Sequence, residues 1–411
     1  MSSPDIISIA NSAVVDLFRT KYLKYLDSHH NKEHPWVAKL AKDASITGNT
    51  QTITLKFGAL GGYSAGSYKD PGLINYDNAE FTLTEIYFRG RVDAKSIALS
   101  ADSAGAARKA VDEAMLEANR EISRNMERQL VYGDGTGAIG QIASSAGVTD
   151  NGGGDYTLTL TTDFVRDNFH DGILMNIGAS GTSSFRVKLA GVNKSARTVR
   201  VLRLDGSDVP ANSDYIYMQG SKDNEMQGLR GILKASSGTK YGRTIAAGWQ
   251  SEQLNAGSDP INKEMLLDVS YNILHETGKS PTDMLVPMTQ WKKLVHLGEA
   301  SLLDMKFQEA RAGNLSIGNI PHLYLDGMNI PIMRLLTMPA SEIFFVNNVE
   351  SLVKLCSAGE GQFVKGTEGY LWYRGQFGSD EYEFFWKKYC EQFVHPVYHG
   401  VIHTLSTTTV A

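Results

Sequence analysis

The strongest periodic pattern of apolar residues lies in residues 103–132, which contain no proline and are rich in helix-favouring residue types. Val111, Met115 and Leu130 belong to a row of apolar residues spaced three or four positions apart, and charged residues occupy the other face. At about 1.5 Å per residue, the pattern predicts an amphipathic helix about 45 Å long. Helices in compact domains average about three turns, so this length is unusual for one.

Alternating polar and apolar positions on either side of a glycine-rich stretch predict a long hairpin. Residues 51–60 alternate as a half-buried strand does, and residues 79–99 predict the returning strand. The stretch between them, 61–72, forms the tip. We interpret residues 50–98 as a two-stranded hairpin. Because an isolated two-stranded ribbon is marginally stable in water, its apolar rows need another surface, in the same chain or in a neighbouring one.

The N-terminal region is predicted to be an arm. Residues 5–26 have an apolar row at helical spacing that includes Ile6, Ile9 and Leu17. A polar stretch follows, and Pro35 is expected to break any continuing helix. Residues 1–48 are too short to bury their own apolar face, so we predict an arm rather than a domain.

The pattern of apolar and turn residues changes twice after the long helix. Short strand-like runs separated by turn residues fill residues 155–220 and predict a small antiparallel barrel or sandwich, inserted as a module. From about residue 236 the pattern becomes α/β, and residues 361–411 are rich in predicted strands. No internal repeat is evident.

Composition and charge exclude several classes of protein. The chain has 411 residues, of which 42% are hydrophobic and 21% charged, as in ordinary globular proteins. The net charge is −5 and no long run of Lys or Arg occurs, so the pattern typical of nucleic-acid binders is absent. The two cysteines, Cys356 and Cys390, form no C-x-x-C motif. Neither a secretory signal nor a membrane span is predicted, and we expect a reducing, cytoplasmic compartment.

One glycine motif raises the possibility of a nucleotide site. Gly135, Gly137 and Gly140 have the G-x-G-x-x-G spacing of dinucleotide-binding loops. That fingerprint needs a strand before it and a helix after it, whereas here the glycines follow the long helix and a loop follows them. We therefore interpret Gly133 as a left-handed helix stop and Asp134–Gly135 as a tight turn, with no bound cofactor.

Candidate catalytic and metal-binding residues are few. His395, His399 and His403 repeat every fourth residue, which on a helix would form a metal-binding face. Pro396 and Gly400 favour a strand instead, on which successive histidines would lie about 13 Å apart on a polar sheet face. No G-x-S-x-G elbow, Walker lysine or zincin motif occurs. We predict no catalytic, cofactor-binding or metal-binding residue.

The order of these elements resembles the major capsid proteins of tailed bacteriophages. The most specific match is "LVYGDGTG" at 130–137, which closes the long helix, followed by a displaced Gly-Leu at 228–229. "KSPTDMLVPMTQWKKLVHL" and "CEQFVHPVYHGVI" are similar to a central-domain strand and a closing strand of that family. The resemblance covers most of the chain except 145–225.

The resemblance implies an α+β capsid fold with an inserted small all-β module. It divides the chain into an N-terminal arm (1–48), an extended hairpin loop (49–98), a peripheral-domain spine helix with its glycine turn (99–148), the inserted module (149–227), an axial α/β domain (228–355) and closing strands of the peripheral domain (356–411).

The implied function is self-assembly into an icosahedral head shell, without enzymatic activity. Partners would be further copies of the chain in hexamers and pentamers, portal and scaffolding proteins, a possible decoration protein, and DNA enclosed without sequence-specific binding. No membrane partner is implied. The protein would reside in the virion capsid after assembly in the host cytoplasm. Candidate subunit-interface residues in the hairpin are Phe57, Leu60, Tyr63, Tyr68, Lys69 and Leu73.

Two alternatives remain open from the sequence. An encapsulin-type bacterial shell protein shares the implied fold, and a nucleotide-dependent oxidoreductase would use the glycine motif. Some capsid proteins of the family also cross-link a hairpin lysine to an asparagine of the peripheral domain. Residues 361–411 contain no asparagine, so cross-linking is not predicted for this chain.

Overall fold

The structure is a computed structural model of the whole chain. It describes residues 35–44, 46, 48, 50–57, 75–93, 121–169, 173–179, 185–246, 248–299, 304–307, 321–325, 328–358, 362–363, 372–376 and 379–407.

Five described helices alternate with strands. The helices are α1 (Pro35–Lys39), α2 (121–131), α3 (Leu229–Leu233), α4 (Lys263–Thr277) and α5 (Met288–Glu299). The first half of the strands are β1 (Lys42–Asp43), β2 (Thr50–Phe57), β3 (Asn75–Thr82), β4 (Thr84–Asp93), β5 (Ala138–Gln141), β6 (Val148–Gly152), β7 (Asp155–Thr159), β8 (Leu174–Gly178), β9 (Phe185–Asn193), β10 (Thr198–Arg203), β11 (Tyr215–Met218) and β12 (Thr239–Lys240).

The second half of the strands belong to the α/β and closing regions. They are β13 (Arg243–Thr244), β14 (Glu252–Asn255), β15 (Asp283–Pro287), β16 (Asp304–Phe307), β17 (Pro321–Leu325), β18 (Met328–Leu335), β19 (Ile343–Val346), β20 (Val353–Ser357), β21 (Gln362–Phe363), β22 (Trp372–Gln376), β23 (Ser379–Val394) and β24 (Gly400–His403). The mixed α+β class predicted from the sequence is confirmed. Of the predicted helix 103–132, α2 is described and residues 103–120 lie outside the described residues.

One sheet is organised by the 16-residue strand β23. Along one edge it pairs with β4, and along the other with β22, β21 and β20. Strand β1 extends this sheet by pairing in parallel with β20. The core beneath it contains Leu130, Met226 and Phe393, which come from α2, the segment after the module and β23.

The predicted hairpin is correct in its first strand pair and wrong in its extent. Strands β2 and β3 pair in antiparallel fashion, from Thr50 opposite Thr82 to Phe57 opposite Asn75. The following strand, β4, leaves the ribbon and pairs with β23 instead. The physical reason is burial, because Leu83 and Ile86 are 5% and 3% exposed in the core shared with β23.

The described part of the predicted arm (1–48), from residue 35 onward, is part of the main core, which corrects the prediction for that part. Pro35 begins α1, as suits the first turn, where its missing N–H has no partner to lose. Trp36 and Val37 are fully buried, and Lys42 pairs with Leu355 across β1 and β20. The predicted helix 5–26 lies outside the described residues.

The inserted module is an antiparallel sheet in the order β5-β11-β8-β9-β10-β7-β6. A bridge between Ile142 and Leu160 joins the ends of β5 and β7, so the sheet curls back on itself around its own core. The module begins at Ala138 rather than at the predicted residue 149, because β5 pairs with the last module strand, β11.

The third large sheet has the order β14-β24-β19-β15-β18-β17-β16. Helices α4 and α5 supply Leu266, Val269 and Leu294 to its core. The predicted boundary between residues 355 and 356 is wrong in two respects. It falls inside β20, which pairs with β23, and the closing strand β24 crosses into this sheet between β14 and β19.

Candidate subunit interface

The ribbon formed by β2 and β3 keeps the alternation expected from the sequence. Its apolar face, which includes Leu55 and Ala79, is buried against the main core, and Glu80 on the opposite face is exposed. The base is held by Phe81, whose ring lies 5.6 Å from that of Tyr241 and 6.2 Å from that of Phe393. The described part of the ribbon is therefore firmly packed on the main core and pairs with no further strand among the described residues.

Of the six predicted interface residues, Phe57 lies in the described ribbon. The backbone of Phe57 ends β2 opposite Asn75. The other five lie outside the described residues: Leu60, Tyr63, Tyr68, Lys69 and Leu73. The interface role of all six stays a prediction.

Exposed apolar side chains that sequence reasoning missed lie on three different sheets. On the β23 sheet, Tyr87 is 57% exposed and pairs across the strands with Lys387. On the β15 sheet, Leu336 is 61% exposed and Met288 41%. These two follow Leu335 and Pro287, which are partners in the parallel β15–β18 register. Both therefore lie at the carboxyl ends of neighbouring strands.

The third apolar surface lies on the module. Leu174 and Leu202 are 42% and 40% exposed and flank Lys188 in one cross-strand row. Leu204, which follows Leu202 just beyond the end of β10, is 50% exposed. In the sequence these residues belong to ordinary strand patterns. Only the register of the folded sheets shows that they face outward together.

The glycine motif forms a packed junction rather than a ligand loop. The carbonyl of Gly133 accepts hydrogen bonds from the N–H groups of Gly228 and Gly231, at 3.0 and 3.2 Å. A Cβ on Gly228 would lie 2.1 Å from the carbonyl oxygen of Gln129, and one on Gly137 would lie 2.1 Å from that of Ser221. Residues 221–231 thus pack directly against the backbone of the glycine loop.

The interpretation of Gly133 as a left-handed helix stop is wrong, whereas the tight turn at Asp134–Gly135 is confirmed, with the N–H of Thr136 donating to the Asp134 carboxylate at 2.9 Å. Gly133 is not in the left-handed region, and glycine is required there because a Cβ would meet the carbonyl of Gln129 at 2.4 Å. Gly135 and Gly137 do adopt positive φ values, of 86° and 79°. Gly140 lies within β5, so the helix that a dinucleotide fingerprint requires does not follow it.

The three C-terminal histidines do not share a sheet face, which corrects that expectation. A short 3-10 helix at Pro396–Tyr398 separates His395 from His399. His399 is fully buried, its Nδ1 accepts the N–H of Asn347 at 3.0 Å, and burial lowers its pKa to about 3. His403 lies in β24 next to Thr404. Within the described ranges, no three His, Cys, Asp or Glu side chains converge closely enough to hold a metal ion.

Buried titratable groups of the β23 sheet have shifted pKa values. Burial raises the pKa of the Cys356 and Cys390 thiols to about 12, so both stay protonated. Burial also raises the pKa of Glu391 to about 8, although Thr84 and the backbone N–H of Gln227 donate to its carboxylate. Among the described helices, none combines the length and apolar character needed to cross a bilayer.

Comparison with known proteins gives structural matches only. No protein-family model matches the chain. No curated protein matches its sequence. The chain is similar to the capsid asymmetric unit of cyanophage A-1(L), with 12% identity, a TM-score of 0.49, and 91% of this chain and 93% of that chain covered.

Two further solved structures are similar at the same level. The holo-SrpI encapsulin complex from Synechococcus elongatus PCC 7942 has 9% identity and a TM-score of 0.46, with 92% and 89% of the two chains covered. The capsid of a native GTA particle has 8% identity and a TM-score of 0.44, with 90% and 88% covered. The solved structures to which this chain is similar are mostly capsid proteins of tailed phages.

Proposed function

We propose that this chain is a major capsid protein that self-assembles into the icosahedral head shell enclosing a phage genome. The observation that supports the proposal is the distribution of exposed apolar side chains over the subunit. Tyr87, Leu336 and Leu202 lie on three different sheets, and the β2–β3 ribbon pairs with no further strand among the described residues. A dimer needs one such surface, whereas a tile in a closed shell needs contacts in several directions.

The ribbon is proposed to lie across the neighbouring subunit. Phe81 anchors the base of the ribbon, and the ion pair between Asp77 and Arg243 holds its far described end, so both ends of the described ribbon are fixed to the core. Phe57, Leu60, Tyr63, Tyr68, Lys69 and Leu73 would form the contact. Aromatic residues are enriched in such interfaces.

The remaining partners follow from the same proposal. Portal and scaffolding proteins would set where and how the shell closes, and a decoration protein could bind its outer surface. The net charge of −5 favours a shell that encloses DNA without binding its phosphates. The protein would reside in the virion capsid, after assembly in the host cytoplasm.

The experiment compares the full chain with a variant that lacks residues 61–72, by sedimentation velocity and negative-stain microscopy. We expect particles of megadalton mass from the full chain. The deletion variant is expected to keep its thermal unfolding midpoint and to form no closed particles. Normal particles from the deletion would remove the hairpin from the assembly mechanism. Particles that carry protein cargo and no nucleic acid would favour the encapsulin alternative.

A further inference from the structure

Three parts of the fold meet at the side chain of Arg230 in α3. Its Nε donates to both carboxylate oxygens of Glu342, at 3.1 and 3.0 Å, and its Nη2 donates to Asp163. Its guanidinium lies 4.9 Å from the centre of the Tyr132 ring. Glu342 precedes β19 of the β15 sheet, Asp163 follows β7 of the module, and Tyr132 follows α2. One planar cation therefore contacts all three parts.

The two carboxylates that bind Arg230 differ in burial. Glu342 is 1% exposed and also binds the Nζ of Lys234 at 2.6 Å, so two cations neutralise it. Asp163 is 40% exposed. Burial alone would lower the pKa of Arg230, but the attraction of Glu342, Tyr132 and Asp163 raises it. Removing the Asp163 carboxylate would therefore leave no unpaired charge in the core.

Among the described residues, the chain enters and leaves the module through a narrow neck. Its first and last strands are neighbours, with Ala138 opposite Tyr217. Just outside them, the N–H of Asp223 donates to the carbonyl of Thr136 at 2.9 Å. Two adjacent chain segments keep the module in place but allow it to rotate relative to the rest of the subunit. Relative motion is the default for units joined in this way.

We infer that Arg230 is a positioning residue that fixes the orientation of the inserted module against the rest of the subunit, through its contact with Asp163. The Tyr132 hydroxyl, 3.5 Å from the carbonyl oxygen of Asp163, lies at the same contact. The inference concerns a single subunit and does not require that the chain forms a shell.

The test measures distances between two spin labels by pulsed electron paramagnetic resonance. Labels are introduced by Ser195→Cys, in the exposed β9–β10 turn, and Glu276→Cys, at the exposed end of α4. The native cysteines are buried and poorly reactive. Labelled chain is diluted with unlabelled chain, so that distances within one subunit are recorded whether or not particles form.

The decisive variants are Asp163→Ala and Arg230→Lys. We expect a narrow distance distribution in the parent protein and one about twofold wider in both variants, because the freed module rotates about its neck. The matched control is Asp205→Ala, which removes the exposed Arg186–Asp205 pair inside the module. The control should leave the distribution unchanged.

A purely structural role would change stability rather than orientation. We therefore expect the thermal unfolding midpoint of Asp163→Ala to match that of Asp205→Ala. A distribution for Asp163→Ala as narrow as that of the parent would overturn the inference. Should Asp163→Ala fail to fold, Arg230→Lys keeps the buried charge on Glu342 paired and decides the question by the same measurement.

Discussion

The guanidinium of Arg128 is paired with the carboxylate of Glu225 inside the protein, with the two side chains 3% and 1% exposed. Nη1 of Arg128 lies 2.8 Å from Oε2 of Glu225, and Nη2 also donates to Asn125 at 2.7 Å. Arg128 belongs to α2, whereas Glu225 lies in the segment that returns from the module. The pair therefore joins the chain segments before and after the inserted module, and it holds α2 against residues 221–231, which pack on the glycine loop.

Breaking this pair from one side should be costly. Glu225→Gln leaves the Arg128 cation buried without its counter-charge, which costs about 3–5 kcal/mol of unfolding free energy. The double variant Arg128→Met with Glu225→Leu removes both charges and should recover most of that loss. Urea unfolding of unassembled subunits measures both. The exposed pair broken by Asp205→Asn serves as control and should cost far less, because solvent screens exposed ion pairs. Equal costs for the buried and exposed pairs would contradict this account.

The same pair determines where the module can be removed. Excision of residues 150–226 deletes Glu225 and leaves β5 without its partner strand, so we expect misfolding. Replacing residues 139–216 by Asn-Gly joins Ala138 to Tyr217, which already face each other, by a two-residue turn. That variant keeps Glu225 and should give a cooperative thermal transition. Misfolding of both would show that the module contributes to the core fold.

Backbone contact at the glycine junction predicts a strong position-specific effect of one methyl group. Gly228→Ala places its Cβ 2.1 Å from the carbonyl oxygen of Gln129, so α2 or α3 must shift. We expect a loss of about 1–3 kcal/mol in unfolding free energy. Gly191→Ala is the matched control, since nothing lies within 4 Å of its Cβ position, and it should change stability by less than about 0.5 kcal/mol. A tolerated Gly228→Ala would disprove the close approach.

Glu391 should make stability depend on pH. Burial raises the pKa of its carboxyl from 4.5 to about 8 in the folded protein. A raised pKa in the folded state means that the contribution is fully present below about pH 4.5 and is lost as pH rises towards about 8. The slope is at most about 1.4 kcal/mol per pH unit.

Glu391→Gln removes that titration. The unfolding free energy of the variant should therefore rise relative to the parent as pH increases from 5 to 8. The buried His399, whose pKa is lowered to about 3, acts in the opposite direction, but both proteins contain it and it cancels from the difference. Urea titrations at several pH values measure the difference. A constant difference across this range would rule out the titration of Glu391.

Periodicity located most strands and could not assign their partners. The alternation at 51–60 identified β2, and the pairing of β2 with β3 followed from their closeness along the chain. Strand β4 shows the same kind of pattern, but its partner strand lies 300 positions later, with Lys387 opposite Tyr87. Such pairing depends on which apolar faces the whole fold buries, and no local window contains that information.

Local rules also misplaced boundaries and missed surfaces. Pro35 fits both the residue after a helix end and the first turn of a helix, and the structure places it at the start of α1, where Trp36 is buried. The exposed pair Met288 and Leu336 lies 48 positions apart in the sequence and becomes one surface only through the β15–β18 register. The candidate interface therefore needs the tertiary structure, whereas the absence of a nucleotide loop could be argued from the order of elements alone.

The most direct test of the central claim is cryo-electron microscopy of the purified full-length chain at assembly concentrations. The account predicts closed, hollow, icosahedral particles in which the β2–β3 ribbon of each subunit crosses a neighbour. A compact, heat-resistant monomer that stays single under every condition would contradict it.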